Sequence, residues 1–108
     1  MLMVRAIVRP ERVDEVLAAL MYAGFPSVTK MDVYGRGKQR GMKVGETHYD
    51  ELPKEMLFTV IEDGDKDFVV ETILKSARSG VKGAFGDGKV FVSPVNEAYT
   101  VSSARKEL

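Results

Sequence analysis

The chain has 108 residues, 16 Lys and Arg against 16 Asp and Glu, one histidine and no cysteine. This length gives a single domain, large enough for a core yet small enough to gain from oligomerisation, and zero net charge argues against a global field for nucleic acid or an acidic membrane. Missing thiols exclude a disulfide framework and thiolate chemistry. With His48 alone a protein-built metal cage is not expected, and Met1-Leu2-Met3-Val4-Arg5 meets an arginine too early for a signal peptide, so a cytoplasmic domain without membrane insertion is the expectation.

Residues 2–9 alternate as a strand, with Leu2, Val4, Ala6 and Val8 on one face and Met3, Arg5, Ile7 and Arg9 on the other. Pro10 suits the first turn of a helix, Val13, Val16, Leu17 and Leu20 recur at helical spacing, and Gly24 offers a left-handed stop. A second strand follows, with Thr29, Met31 and Val33 opposing Val28, Lys30, Asp32 and Tyr34.

The second half repeats this plan. Residues 56–62 read as a strand, and Gly64-Asp65 breaks it and can cap a helix. Phe68, Val69, Thr72, Ile73 and Ala77 give that helix a buried face, closed by Ser79-Gly80; residues 89–95 read as a strand, with a short one near 98–101. Asp63, Asp65 and Asp67 resemble a metal cluster, but at a helix start they are expected to cap it and complement its dipole. Two βαβ units of this size predict an α+β, ferredoxin-like βαββαβ sandwich, an antiparallel sheet with both helices on one face. Ile7, Tyr34, Met56, Phe58, Val60 and Phe91 are too apolar for a solvated second face, so burial against other subunits is expected there.

Two glycine-broken basic loops carry the chemistry. One runs from Val33 to Gly41 after a strand; the other, Gly86-Asp87-Gly88-Lys89, stands directly before one. Glycines let backbone N–H groups turn toward phosphate while lysine or arginine neutralises it, so the pair predicts a pocket for an anionic ligand. Residues 35–54 show no core periodicity, and loops that long in compact domains are usually functional. Arg36, Lys38, Arg40 and Lys43 come first in that loop; Glu46, Asp50 and Glu51 come later. No His–carboxylate or Ser/Cys nucleophile constellation is present, so an enzyme is not expected. An RNA-binding module shares the ferredoxin-like sheet, but it needs stacking aromatics, here only Phe58 and Phe91, and a basic face.

Arg5-Ala6-Ile7-Val8-Arg9-Pro10, the Val33 to Gly41 segment, Leu52-Pro53-Lys54 and Gly86-Asp87-Gly88-Lys89-Val90-Phe91-Val92 together resemble the PII signalling family over essentially the whole chain. The stretch Gly35 to Lys54 and the run Ser93 to Val101 resemble its nitrogenase-associated, NifI-type branch. The resemblance implies one PII-like domain over 1–108, with a T-loop at about 35–54, a B-loop at about 79–88 and a C-terminal segment at about 96–108. It implies a homotrimer, alone or with a second PII-like paralogue, that senses ATP or ADP and 2-oxoglutarate and acts through the T-loop on dinitrogenase. An ammonium transporter or glutamine synthetase is the alternative target.

The residues matching the family's nucleotide site are Ile7, Thr29, Gly35, Gly37, Lys38, Gln39, Gly86, Asp87, Gly88 and Lys89. Those matching the 2-oxoglutarate site are Gln39, Arg40, Gly41, Lys54 and Gly86, with the Gln39 carbonyl as a ligand of Mg²⁺ shared with ATP phosphates. Three departures stand out: Thr100 and Ser102 occupy the places of two phosphate-reaching arginines, Val81 to Phe85 carries an insertion, and Phe58 replaces a glutamate at the adenine. Lys82, inside that insertion, is a candidate to replace the missing arginines.

Overall fold

The fold is taken from a computed structural model that describes residues 1–36 and 51–107. The first alternating segment is strand β1, Leu2–Val8, and its Val4, Ala6 and Val8 side chains are almost fully buried. Pro10 opens a 3₁₀ turn, Pro10–Arg12, that runs into helix α1, Val13–Tyr22. Gly24, at φ 96°, ends that helix: its N–H donates to Met21 O at 3.1 Å, and Phe25 N–H reaches Leu20 O at 2.8 Å. This is the paired-bond cap in which a left-handed glycine satisfies the last carbonyls.

Strand β2, Thr29–Gly35, pairs antiparallel with β3, Leu52–Ile61. Helix α2, Lys66–Ala77, and strand β4, Gly88–Pro94, complete the second unit, and a small hairpin of β5, Tyr99–Thr100, and β6, Arg105–Lys106, follows. The sheet order is β2-β3-β1-β4, antiparallel throughout, as the ferredoxin-like sandwich requires. Both helices pack on one face over Val4, Val8, Val16, Leu20, Leu57, Val69 and Ile73. Side chains as buried as Leu20 and Leu57 each stabilise the fold by roughly 1.5–3 kcal/mol. Thr59, also buried, stays satisfied by donating its hydroxyl to Ser27 O at 2.8 Å.

Several boundaries differ from the sequence reading. Strand β3 starts at Leu52 rather than near 56, and β2 reaches Gly35, so the pair closes at Gly35↔Leu52 and takes both ends of the 35–54 segment into the sheet. Pro53 hid this extension. It is tolerated because β1 pairs with β3 only from Glu55 onward, leaving Pro53 flanked by β2 alone, as on an edge.

Asp65 makes no side-chain cap for α2; a 3₁₀ turn, Asp63–Asp65, leads into the helix instead, and Asp63 pairs with the Met1 amine at 3.0 Å. No metal-holding group of acids occurs among the described residues. Helix α2 stops at Ala77, before Ser79-Gly80, and its C-terminal end is served by Arg12, whose Nε and Nη2 donate to Ser76 O at 3.2 and 2.8 Å. Phe68 is not in the core: it is 54% exposed and tilts against the Phe25 ring, at a centroid distance of 6.2 Å. Tyr34, paired with Pro53, shares by register the face of Leu57 rather than that of Ile7, so it leaves the second-face group.

Candidate functional site: a cationic cleft at the sheet end

The antiparallel order brings the ends of β1 and β2 and the starts of β3 and β4 to one edge of the molecule. There a cleft of about 260 Å³ is lined by Ile7, Gly35, Arg36, Lys54, Gly86, Gly88, Lys89 and Phe91. Six of these were expected in the site from sequence: Ile7, Gly35, Lys54, Gly86, Gly88 and Lys89. They come from segments far apart in the chain, and the cleft they form has three basic residues and no acid in its lining. Its chemistry suits an anion with an apolar part resting on Ile7 and Phe91.

Each position has a local cause. Gly88 sits at φ 119°, where a Cβ would lie 1.7 Å from Ile7 O, so only glycine lets β4 start this close to β1. Gly35 has no such constraint; a Cβ there would meet Lys54 Cγ at an ordinary 3.5 Å. Its missing side chain simply leaves room above the Lys54 stem. Lys89, the second residue of β4, stands opposite Ile7 and is exposed, as a residue free to meet phosphate must be.

Lys54 is different. It is only 7% exposed, and its Nζ donates to Gly86 O. Burial pushes its pKa down and the Arg9 charge adds to this, against the pull of Glu11 and Asp87. A cation so desolvated gains from any carboxylate or phosphate that enters beside it.

Asp87 points into its own loop. Arg9 Nε donates to Oδ1 at 3.0 Å and the Ser79 hydroxyl to the same oxygen at 2.7 Å, while the N–H groups of Ser79 and Ala84 each reach Oδ2 at 2.9 Å. Burial opposes ionisation, yet the bonds from Ser79, Ala84 and Arg9 outweigh it and hold the carboxyl far below the usual carboxylate range. Both oxygens are thus engaged in shaping the 79–88 loop, and the insertion contributes directly through Ala84 N–H. Sequence reading singled out Asp87 but not its partners Arg9 and Ser79. The available signal was Arg9-Pro10, since a proline confines the residue before it.

Thr29 lies elsewhere. It pairs with Phe58, and Lys54 is four positions along the same strand, roughly 13 Å away at the usual strand rise. Within one chain the sheet does not bring Thr29 to the cleft. Gly37, Lys38, Gln39, Arg40 and Gly41, and with them the expected Mg²⁺ ligand, lie outside the described residues. Thr100, in β5, donates its hydroxyl to Glu107, and the hairpin returns Arg105 directly opposite it. A basic residue therefore stands beside Thr100.

No helix among the described residues is long and apolar enough to cross a membrane. The family model for nitrogen regulatory protein P-II matches residues 1–105. The "Nitrogen fixation nifHD region glnB-like protein 1" of Methanococcus maripaludis is 55% identical over 101 residues, covering 94% of this chain and 93% of that protein. Its namesake from Methanothermobacter marburgensis is 51% identical over the full length of both chains. The "Nitrogen regulatory protein P-II 2" of Methanothermobacter thermautotrophicus is 43% identical over 100 residues, covering 89% and 84%. With the ferredoxin-like topology and a match over nearly its whole length, the chain belongs to the P-II family of nitrogen regulatory proteins.

Proposed function

We propose that this chain is a non-catalytic sensor that binds ATP or ADP in the cleft, with 2-oxoglutarate beside it, and regulates a partner through the loop between β2 and β3. The carrying observation is the convergence of Ile7, Gly35, Lys54, Gly86, Gly88 and Lys89 on one cleft with Arg36 and no acid in the wall. Phosphates match that cationic lining, and the buried Lys54 ammonium suits a carboxylate. Mg²⁺ would arrive with the phosphates and be held through Gln39. Lys38 and Gly37 would serve the nucleotide, and Arg40 and Gly41 the 2-oxoglutarate.

A cleft of about 260 Å³ is small beside the roughly 300–1,000 Å³ common for pockets that enclose ligands of this size. A wall from a neighbouring copy would complete it, with Thr29 of one chain serving the cleft of the next. We therefore place the sites between subunits of a trimer. The nif-region names of the similar archaeal proteins support dinitrogenase as the regulated partner, with a second P-II-like chain as a companion. Coupling requires that effectors bind one loop state better than the other; affinity alone moves no equilibrium.

Titration calorimetry tests the reading. ATP should bind, and 2-oxoglutarate should bind only with Mg²⁺ and ATP present. Lys54→Ala should abolish the 2-oxoglutarate signal while retaining ATP. Equal 2-oxoglutarate binding without nucleotide would refute the shared site.

A further inference from the structure

The sheet face turned away from the helices carries a single charged residue outside the cleft. Register places Arg5 between Phe58 on β3 and Phe91 on β4, with Met3, Ile7, Met56 and Val60 around them. Across all four strands the other charged residues on that face are Lys54 and Lys89, and both line the cleft. The strands place no carboxylate there. Arg5 is exposed in the single chain, where water can solvate it. Its Nε donates to Met3 Sδ at 3.3 Å, and it forms no ion pair with any described residue.

A trimer changes these surroundings. Packing this face around a three-fold axis turns the inner strands of each copy toward the axis, and β1 is one of those strands. Each copy then brings an arginine, and none brings an acid on this face. Taking such cations out of water among phenylalanine and methionine side chains is costly. A buried lysine can relieve the cost by giving up its proton, whereas arginine stays charged. Arg5 therefore needs a partner of opposite sign. Its planar fork of donors suits the oxygens of a small oxyanion better than it suits a lone atomic ion.

We propose that the Arg5 side chains of three copies hold one small oxyanion, of the sulfate or inorganic phosphate class, on the axis of the trimer. The site is incomplete in a single chain, and it rests on the trimer reading given above. An anion held only by the assembled form stabilises that form, so it links assembly to anion concentration. It is also separable by stoichiometry from the nucleotide clefts, which take one ligand per subunit against one per trimer here.

Sedimentation equilibrium of the full chain without nucleotide tests this, with sodium sulfate as the probe and ionic strength held constant by sodium gluconate, whose anion is bulkier. Removing sulfate should raise the protein concentration at which wild-type trimers dissociate about tenfold or more, the scale of charged hydrogen bonds lost. Arg5→Met should ignore sulfate and stay trimeric without it, because an apolar side chain replaces the buried cation. Arg5→Gln should also lose the sulfate response, and it decides if the methionine variant does not fold. Calorimetry should count one sulfate fewer per trimer in either variant than in wild type, and it decides alone where dissociation is too weak to follow. A wild-type trimer indifferent to sulfate, or a response and a sulfate count that survive in both variants, overturns the axial site and leaves the trimer standing. A wild-type chain that is monomeric at every sulfate concentration overturns the trimer reading, and this inference with it.

Discussion

Gly88 and Asp87 make opposite demands on the same loop, one of space and one of charge. At Gly88 a methyl group has nowhere to go: the Ile7 carbonyl would lie 1.7 Å away and φ is 119°. Gly88→Ala should therefore lower stability by about 2 kcal/mol or more, the scale of a strained backbone position, and weaken nucleotide binding by parting β4 from β1. Denaturant titration checks this, with Gly35→Ala as the control, since its Cβ would make only ordinary contact with Lys54. An equal midpoint for both variants would show that the strand start can slide. Asp87 is a matter of pH. Its folded-state pKa lies below the ordinary 3.8, so the unfolded chain takes up its proton first. The stabilisation is then full above that value and lost as pH falls toward the folded one. Asp87→Asn should cost about 2 kcal/mol near neutrality, and the gap to wild type should close at acid pH. A gap that persists undiminished at the acid end would mean that shape, not charge, is what the carboxylate supplies.

The regular elements were legible in the sequence because each rests on local periodicity. Alternation in Leu2–Val8 and the apolar spacing of Val13, Val16 and Leu20 predicted β1 and α1, and Gly24 marked the stop. Where a partner elsewhere decides, the sequence was silent. Leu52-Pro53-Lys54 reads as loop because its strand character comes from pairing with β2, and the buried Lys54 ammonium finds its partner, Gly86 O, in the distant 79–88 loop. The Arg12 cap on Ser76 and the Arg9 hold on Asp87 join residues far apart in the chain, and no local pattern announces them. Six residues singled out in the sequence line the cleft, five of them glycines and lysines, whose chemistry is carried in their type; the Arg9 and Ser79 contacts to Asp87 were not legible, since they depend on geometry. The closed pairing at Gly35↔Leu52 also bears on the connecting loop. A strand pair anchored by its own register needs no help from the far part of its connection. Deleting residues 42–50 should leave the melting temperature and ATP binding close to wild type while abolishing inhibition of the partner. Retained inhibition by the shortened chain would move the output surface to the helices.

At the scale of the whole molecule, the second face of the sheet sets the question of assembly. Register places Thr29, Phe58, Arg5 and Phe91 in one row across it and Met31, Met56, Ile7 and Lys89 in the next. Val60 lies on the same face opposite Met3. Phe91 is 50% and Val60 42% exposed in the single chain, and no acid stands in these rows. An apolar sheet face of this kind is what a self-associating surface looks like, and the trimer proposed above would bury it. Val60 is the informative position because it lies on this face but outside the cleft lining. Val60→Asp should convert a trimer into folded monomers, since a carboxylate buried there without a partner is costly while one left in water is not. Leu57→Asp, on the helix side and 2% exposed, should unfold the chain instead. Sedimentation separates the first outcome from the second, and circular dichroism shows that the Val60 variant keeps its fold. The monomer should also lose ATP affinity, because Thr29 lies roughly 13 Å from Lys54 within one chain and can serve a cleft only across an interface. A Val60→Asp protein that remains trimeric would show that this face is not the one covered. A monomer that binds ATP as tightly as wild type would return the whole site to a single chain.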